Sequence, residues 1–218
     1  MAAARAVTVL VHGLWTHGVL MEPQRYLLGR MGFETMCYSY PSVRFTLTEN
    51  AHGLAHFARA LAAPAVNFVG HSLGGLVILR MLERETGLPP GRIVLLGSPY
   101  GGTFAGTALA ASELGSRMVG RSMREWLETP RPERFAGREI GVLAGTQSIG
   151  LGRVFAPALP APNDGAVTVA ETRLAAASDH IELPVTHTGM LLSRRVVRQV
   201  GAFLRDGRFE HRSQARHA

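Results

Sequence analysis

The sequence of 218 residues predicts a single α/β domain, with a mostly parallel sheet of about six to seven strands and helices on both faces. Two observations support this prediction. Short apolar segments alternate with longer amphipathic ones, which is typical of parallel strands joined by helices. Hydrophobic residues make up 46% of the chain and charged residues 18%, enough to bury a sizeable core. We expect the domain to span residues 1–210, followed by a disordered tail at 211–218.

Six short apolar runs have the length and composition of buried strands. These strands are predicted at Val7–Val11, Phe33–Tyr38, Ala65–Val69, Ile93–Leu96, Ile140–Ala144 and Ile181–Val185. Amphipathic stretches between and after them predict helices. The helices are predicted at Pro23–Met31, Thr46–Leu61, Leu73–Glu85 and Leu191–Leu204, with Thr46 and Glu49 forming a capping box at the start of the second.

Two segments interrupt this alternation. Residues 101–138 carry two weak helical patterns, and residues 145–162 are rich in glycine and proline without clear periodicity. Long connections inside a compact domain are usually functional. We therefore expect 101–138 to form a lid or cap over a binding site.

Composition and charge exclude several classes of function. The net charge is +7, and all 23 basic residues are arginine. The absence of lysine excludes Schiff-base and Ser-Lys mechanisms. Because the arginines are spread along the chain and are not interleaved with aromatic residues, we expect no nucleic-acid partner. No apolar run approaches the roughly 18 residues of a spanning helix, so no stable membrane insertion is expected.

The redox and targeting signals are few. The single cysteine, Cys37, forbids an internal disulfide and fits a reducing compartment. The first apolar run, Val7–Val11, ends at His12-Gly13 and is too short for a secretory signal. We therefore expect a cytoplasmic protein.

The segment Gly70-His-Ser-Leu-Gly74 carries the strongest chemical signal. It lies between the apolar strand that ends at Val69 and an apolar helix that begins near Leu73, the context of a nucleophile elbow. Such a turn is so tight that side chains at the flanking glycine positions would collide. Ser72 is therefore the predicted nucleophile.

A nucleophilic serine needs a base and an acid, which in this class of site follow it in the order acid, then histidine. His187, in a loop before the closing helix, is the predicted base, and His180 is expected either to support the site without contacting the substrate or to be structural. Among the three aspartates, Asp164 is the predicted acid because it lies in a turn 23 residues before His187. Asp179 remains the main alternative, and the glutamates are less favoured alternatives. Asp206 is expected to be solvated.

Acyl transfer also needs two N–H donors for the oxyanion that develops on the substrate carbonyl. The residue after the nucleophile, Leu73, supplies one, and Leu14 in the loop after the first strand is predicted to supply the other. Gly13 lets that loop approach the substrate. We expect the substrate-binding residues to be His12, Gly13, Trp15 and His71.

Neither a metal nor a cofactor is expected. His52 and His56 have the i, i+4 spacing of a zinc helix, but the glutamate of H-E-x-x-H is missing, so we interpret them as surface residues. Cys37 on a predicted strand is expected to belong to the core.

With these motifs in place, the chain resembles the α/β-hydrolase superfamily, specifically the small bacterial lipases and esterases with little or no lid. The resemblance rests on Val9–Gly13, Gly70–Gly75, Asn163–Gly165 and Val185–Leu191, with a further likeness at Leu95–Pro99 and Gly101–Thr103. It implies an α/β-hydrolase fold and a Ser72/Asp164/His187 triad. The implied activity is hydrolysis of carboxylic esters through an acyl-serine. Some larger lipases of this group bind calcium, but a chain with three aspartates is not expected to.

The expected substrates are short to medium acyl esters, either small molecules or lipids, because so short a chain has little room for a deep tunnel. Thioester cleavage, amide cleavage and acyl transfer use the same intermediate and remain alternatives. A non-catalytic binding protein on the same scaffold is the remote alternative. The sequence gives no expectation for the oligomeric state.

Overall fold

The computed structural model describes residues 6–133, 135, 137–149 and 158–211. In this part of the chain six strands form one sheet in the order β2-β1-β3-β4-β5-β6, and every neighbouring pair is parallel. The strands are β1 (Val7–Val11), β2 (Glu34–Tyr38), β3 (Val66–His71), β4 (Ile93–Leu96), β5 (Ile140–Gly145) and β6 (Asp179–Leu183). The predicted α/β architecture is confirmed, with a sheet that is parallel throughout.

Helices follow the strands along the chain. They are α1 (Glu22–Arg30), α2 (Leu47–Ala60), α3 (Leu73–Arg84), α4 (Phe104–Ala110), α5 (Glu113–Glu128), α6 (Val169–Thr172) and α7 (Arg194–Asp206). Short 3₁₀ turns cover Gly18–Met21 and Thr188–Leu191. No helix among the described residues is long and apolar enough to cross a lipid bilayer.

The core has two parts because successive side chains of a strand point to opposite faces of the sheet. On β1, Val9 belongs to the buried cluster that contains α2, α3 and α5, whereas Leu10 belongs to the cluster on the opposite face. There Leu28 of α1 and Phe203 of α7 are fully buried. Helices therefore cover both faces, which explains why every residue of the central strands β1, β3, β4 and β5 is buried.

Most predicted boundaries lie within a few residues of the observed ones. The predicted capping box is present, since Thr46 accepts from the N–H of Glu49 and the Glu49 carboxylate accepts from the N–H of Thr46. The largest difference is the closing helix, which begins at Arg194. The Ser193 hydroxyl caps it there by accepting from the N–H of Val196. The predicted tail lies outside the described residues from position 212 onward, as do residues 150–157 of the glycine- and proline-rich segment.

The long insertion 101–138 contains α4 and α5. Helix α5 is interrupted at Gly120, whose φ of 74° lies in the left-handed region. The half of α5 after Gly120 is anchored to the body, because Ser122 bonds Asn50 and Trp126 packs beside Arg80. By contrast, α4 buries no residue.

The strand order positions the functional loops. From β1 the chain moves to β2 at one edge, and from β3 onward it proceeds to the other edge, so the order reverses between β1 and β3. In open parallel sheets ligands bind outside the carboxyl ends of the strands at such a reversal. The loops after β1 and β3 begin at His12 and Ser72, which places both at this point.

Candidate active site

Ser72 occupies a strained turn between β3 and α3. Its φ of 53° and ψ of −122° are sparsely populated for a residue with a side chain. Two glycines make the turn sterically feasible. A Cβ at Gly70 would lie 2.6 Å from Cα of Gly75, and a Cβ at Gly74 would overlap the main-chain carbonyl oxygen of Val11. The elbow therefore projects Ser72 from the carboxyl edge of the sheet at the positive end of α3.

The imidazole of His187 is paired with Asp164. Nδ1 of His187 lies 2.7 Å from Oδ2 of Asp164, and the His187 N–H donates to the Asp164 main-chain carbonyl at 2.8 Å. A carboxylate only accepts hydrogen bonds, so the proton of the neutral ring is on Nδ1 and the lone pair is on Nε2. This tautomer is the one a general base requires.

The Asp164 carboxylate is buried, with 1% of the residue exposed, and its hydrogen bonds are satisfied. Oδ1 accepts from the N–H groups of Ala166 and Val167 at 2.9 and 2.8 Å, which leaves Oδ2 for His187. The alternative acid, Asp179, lies at the start of β6 and therefore at the opposite edge of the sheet, where it bonds His211. Geometry thus brings Asp164, and not Asp179, together with the histidine.

His71, beside the nucleophile position, holds the loop that carries the base. Its Nε2 donates to the main-chain carbonyl of His187 at 3.0 Å, and the two rings are 4.6 Å apart between centroids. Burial, with a smaller contribution from nearby His187, lowers the pKa of His71 to about 3. The ring is therefore neutral at physiological pH and keeps this bond.

Gly97, immediately after β4, completes the packing around the His187–Asp164 pair. Its φ is +55°, and a Cβ there would lie 3.0 Å from Oδ2 of Asp164 and 3.1 Å from Nδ1 of His187. A side chain would crowd both partners of the pair. Gly97 lies within the Leu95–Pro99 motif, but the motif by itself does not indicate that this glycine contacts the pair.

His12 is fully buried behind the loop that follows β1. The N–H of Tyr40 donates to Nε2 of His12 at 3.1 Å, while Nδ1 lies 2.9 Å from the Gly13 carbonyl oxygen. Burial is the main cause that lowers the pKa of His12, so the ring is neutral. His12 thus supports the loop from behind and does not line the cavity described next.

Ser72 and His187 line one cavity of about 360 Å³. Gly13, Leu14, Trp15 and His71 also line it. No residue among its described lining is an aspartate, a glutamate or an arginine, and most of the wall is apolar. Its apolar lining includes Leu14, Leu20, Leu109, Val119, Met123 and Leu191.

The insertion 101–138 forms one side of this cavity. Leu109 of α4 and Met123 of α5 lie in its wall. The indole Nε1 of Trp15 donates to the main-chain carbonyl of Met118 at 2.7 Å and so connects the loop after β1 to α5. Sequence periodicity was too weak here to identify these wall residues.

Two main-chain N–H groups near the elbow are without a hydrogen-bond acceptor among the described residues. They belong to Leu14 and Leu73. Gly13 lies against the elbow, because a Cβ on it would be 3.2 Å from Cβ of Ser72. The loop after β1 and the start of α3 therefore meet beside the serine.

A larger cavity, of about 890 Å³, lies at the opposite edge of the sheet, where Asn67 of β3 and Arg92 before β4 line it. It contains none of the predicted site residues. The histidines His52 and His56 are both exposed on α2, and no group of three or more metal-ligating side chains occurs in the described residues.

Comparison with known proteins agrees with the observed fold. A family model described as the alpha/beta hydrolase family matches residues 8–217. A search of curated proteins finds no match.

Solved structures with the same fold are distant in sequence. The Bacillus licheniformis lipase BlEst2 in its mature form is 19% identical, over 94% of this chain and 92% of that chain, with a TM-score of 0.72. The metagenomic carboxyl esterase MGS0156 is 20% identical, over 86% and 66%, with a TM-score of 0.64. The thioesterase RedJ from Streptomyces coelicolor is 16% identical, over 92% and 86%, with a TM-score of 0.60. The parallel sheet, the strained serine elbow and the match over nearly the whole chain lead to one conclusion: this protein belongs to the alpha/beta hydrolase family.

Proposed function

We propose that the protein is a serine carboxylic-ester hydrolase with Ser72 as nucleophile, His187 as base and Asp164 as acid. The observation that carries this proposal is the shared cavity: the strained Ser72 and the Asp164-bound imidazole of His187 line the same space. Acyl transfer requires a nucleophilic serine, a base that accepts its proton, and a third group that orients the base.

The proposed reaction has two stages. Nε2 of His187 accepts the Ser72 proton as Oγ attacks the ester carbonyl, and the N–H groups of Leu14 and Leu73 stabilise the oxyanion. The alcohol leaves with the proton from His187, and an acyl-serine remains. Water, activated by the same imidazole, then attacks the acyl-serine and releases the carboxylic acid.

The cavity supports uncharged, short to medium acyl groups. Its volume of about 360 Å³ is near the lower end of the roughly 300–1,000 Å³ that small-molecule sites span. The absence of carboxylate and guanidinium groups from its described lining gives a charged acyl chain no partner. The similarity to a lipase and to a carboxyl esterase agrees with this substrate class.

The test is turnover of p-nitrophenyl esters with acyl chains of two to twelve carbons, by the wild type and by Ser72→Ala. We expect hydrolysis that is fastest for short or medium chains and a loss of about 10⁴-fold or more in the variant. Labelling of the wild type, but not of Ser72→Ala, by a fluorophosphonate would identify the nucleophile. Faster cleavage of a thioester with the same acyl group would reassign the leaving group, and full activity in Ser72→Ala would reject the proposal.

A further inference from the structure

Thr16 lies in the loop after β1, which carries Leu14. Its hydroxyl donates to the main-chain carbonyl of Gly13 at 3.0 Å and lies 3.2 Å from Nδ1 of His12. The side chain is half-buried at the cavity wall. The Gly13 carbonyl therefore has two side-chain neighbours, Thr16 Oγ1 and His12 Nδ1.

The tautomer of His12 follows from its partners. Nε2 faces the N–H of Tyr40, which only donates, so Nε2 is the unprotonated nitrogen and Nδ1 carries the proton. Nδ1–H then donates to the Gly13 carbonyl at 2.9 Å. The His12 ring is itself fixed by stacking on Tyr40, with 4.3 Å between centroids, and the Tyr40 hydroxyl donates to the His12 carbonyl.

Two donors on one carbonyl determine the orientation of the whole Gly13–Leu14 peptide. This peptide is trans, and in a trans peptide the C=O and the following N–H point in opposite directions. When the Gly13 carbonyl is held toward His12 and Thr16, the Leu14 N–H must point the other way. Glycine offers little resistance to rotation of its own peptide, so without these donors the orientation is weakly determined.

We propose that Thr16 is a positioning residue, which together with His12 holds the Gly13–Leu14 peptide so that the Leu14 N–H faces the oxyanion. This inference rests on the proposed ester hydrolysis. Thr16 acts through Leu14 and has no direct part in bond making or breaking. Its loss lowers the rate of the chemical step without weakening ground-state binding, because the oxyanion develops only in the transition state.

The test compares Thr16→Val with Thr16→Ser. Valine has the shape of threonine but no donor, whereas serine keeps the hydroxyl. Removing an oxyanion donor costs about 10²–10³ in kcat, and since His12 still holds the carbonyl in the valine variant we expect a loss of about tenfold. KM should stay within about twofold, and Thr16→Ser should have nearly wild-type activity.

A matched control removes an equivalent bond far from the site. The hydroxyl of Thr35 on the edge strand β2 donates to the main-chain carbonyl of Arg25 at 3.2 Å, so Thr35→Val makes the same chemical change without touching the loop. We expect unchanged kcat in this variant. A similar loss in Thr35→Val and Thr16→Val, or a loss that Thr16→Ser does not rescue, would overturn the inference.

Two further measurements separate this inference from the proposed function. An alkylboronic acid forms a tetrahedral adduct with a catalytic serine, and its inhibition constant should rise in Thr16→Val by the factor by which kcat/KM falls. In ¹⁵N–¹H spectra of the free proteins, the Leu14 amide signal should shift or broaden in Thr16→Val but not in Thr16→Ser. This second readout needs no turnover, so a wild type that cleaves no ester would reject the proposed function, while an unchanged Leu14 signal would reject the positioning role.

Discussion

The main-chain carbonyl of His187 accepts a hydrogen bond from Nε2 of His71, 116 positions earlier in the chain. The residue before Ser72 thus holds the loop that carries the imidazole paired with Asp164. One buried side chain at the end of β3 therefore contacts the loop after β6, although two strands separate β3 and β6 in the sheet. Four predictions follow from this and neighbouring contacts.

The His71 ring predicts an acid-dependent loss of stability. Its pKa is about 3 in the folded state, against an ordinary value of 6.5, mainly because of burial. Between these pH values the unfolded chain binds a proton that the folded protein does not, so the free energy of unfolding falls as pH is lowered. One such proton contributes about 1.4 kcal/mol per pH unit.

Urea unfolding of the wild type and of His71→Gln, at intervals from pH 7.5 to 4.5, measures this effect. Below pH 6.5, we expect the free energy of unfolding to fall less steeply with decreasing pH in the variant than in the wild type, by about 1.4 kcal/mol per pH unit. Above pH 7, the free energies of unfolding of the two proteins should differ by a constant amount. Parallel curves over the whole range would mean that folding does not lower the pKa of His71.

Asp164 and Asp179 can be distinguished by amide substitution. Asp164→Asn can still accept from Ala166 and Val167, but it no longer offers His187 a carboxylate. The expected loss in kcat is about 10³–10⁴-fold, because the asparagine amide can face Nδ1 and favour the wrong tautomer. Asp179→Asn, at the far edge of the sheet, is expected to keep its activity. A greater loss in Asp179→Asn than in Asp164→Asn would reassign the acid.

A methyl group at Gly97 is expected to strain the backbone and also to crowd the His187–Asp164 pair. Gly87 serves as the control, because a methyl group there would strain the backbone only. Both glycines have positive φ, +55° and +64°, but a Cβ at Gly87 would meet nothing within 4 Å. Each alanine variant should lose about 1–2 kcal/mol of stability through left-handed strain. Only Gly97→Ala should also lower kcat, by about 100-fold, since it displaces the His187–Asp164 pair. Equal kcat values in the two variants would show that the pair tolerates the methyl group.

Leu109 tests the acyl-binding role of the cavity. Leu109→Trp adds bulk inside the cavity wall, whereas Leu114→Trp changes a residue of the same insertion that is 71% exposed. We expect Leu109→Trp to lower kcat/KM for an octanoate ester at least about tenfold more than for an acetate ester. Leu114→Trp should change neither. If Leu109→Trp lowered kcat/KM equally for both esters, the acyl chain would not bind beside Leu109.

Local signals were sufficient for much of the fold. The central strands were predictable because they are mostly apolar, as buried parallel strands are, and the start of α2 was predictable because Thr46 and Glu49 cap each other within one turn. The elbow at Ser72 was predictable because the Gly-x-Ser-x-Gly pattern between an apolar strand and an apolar helix is local, although the steric need for glycine at position 74 comes from the main chain of Val11 on β1. The predicted start of the closing helix at Leu191 is wrong, because Leu191 ends a 3₁₀ turn and the helix begins only after the Ser193 cap.

The sequence by itself determined the order of strands and helices, the strained serine turn and a short set of candidate partners. Only the tertiary structure decided that His187 pairs with Asp164 and not with Asp179, that His12 lies behind the cavity wall, and that Gly97 and Thr16 adjoin the site. The physical reason is that parallel strands bring their carboxyl ends to one edge, so side chains far apart in the chain become neighbours there. Which of them meet depends on strand order and on loop conformation, and neither is encoded in the spacing of residues along the chain.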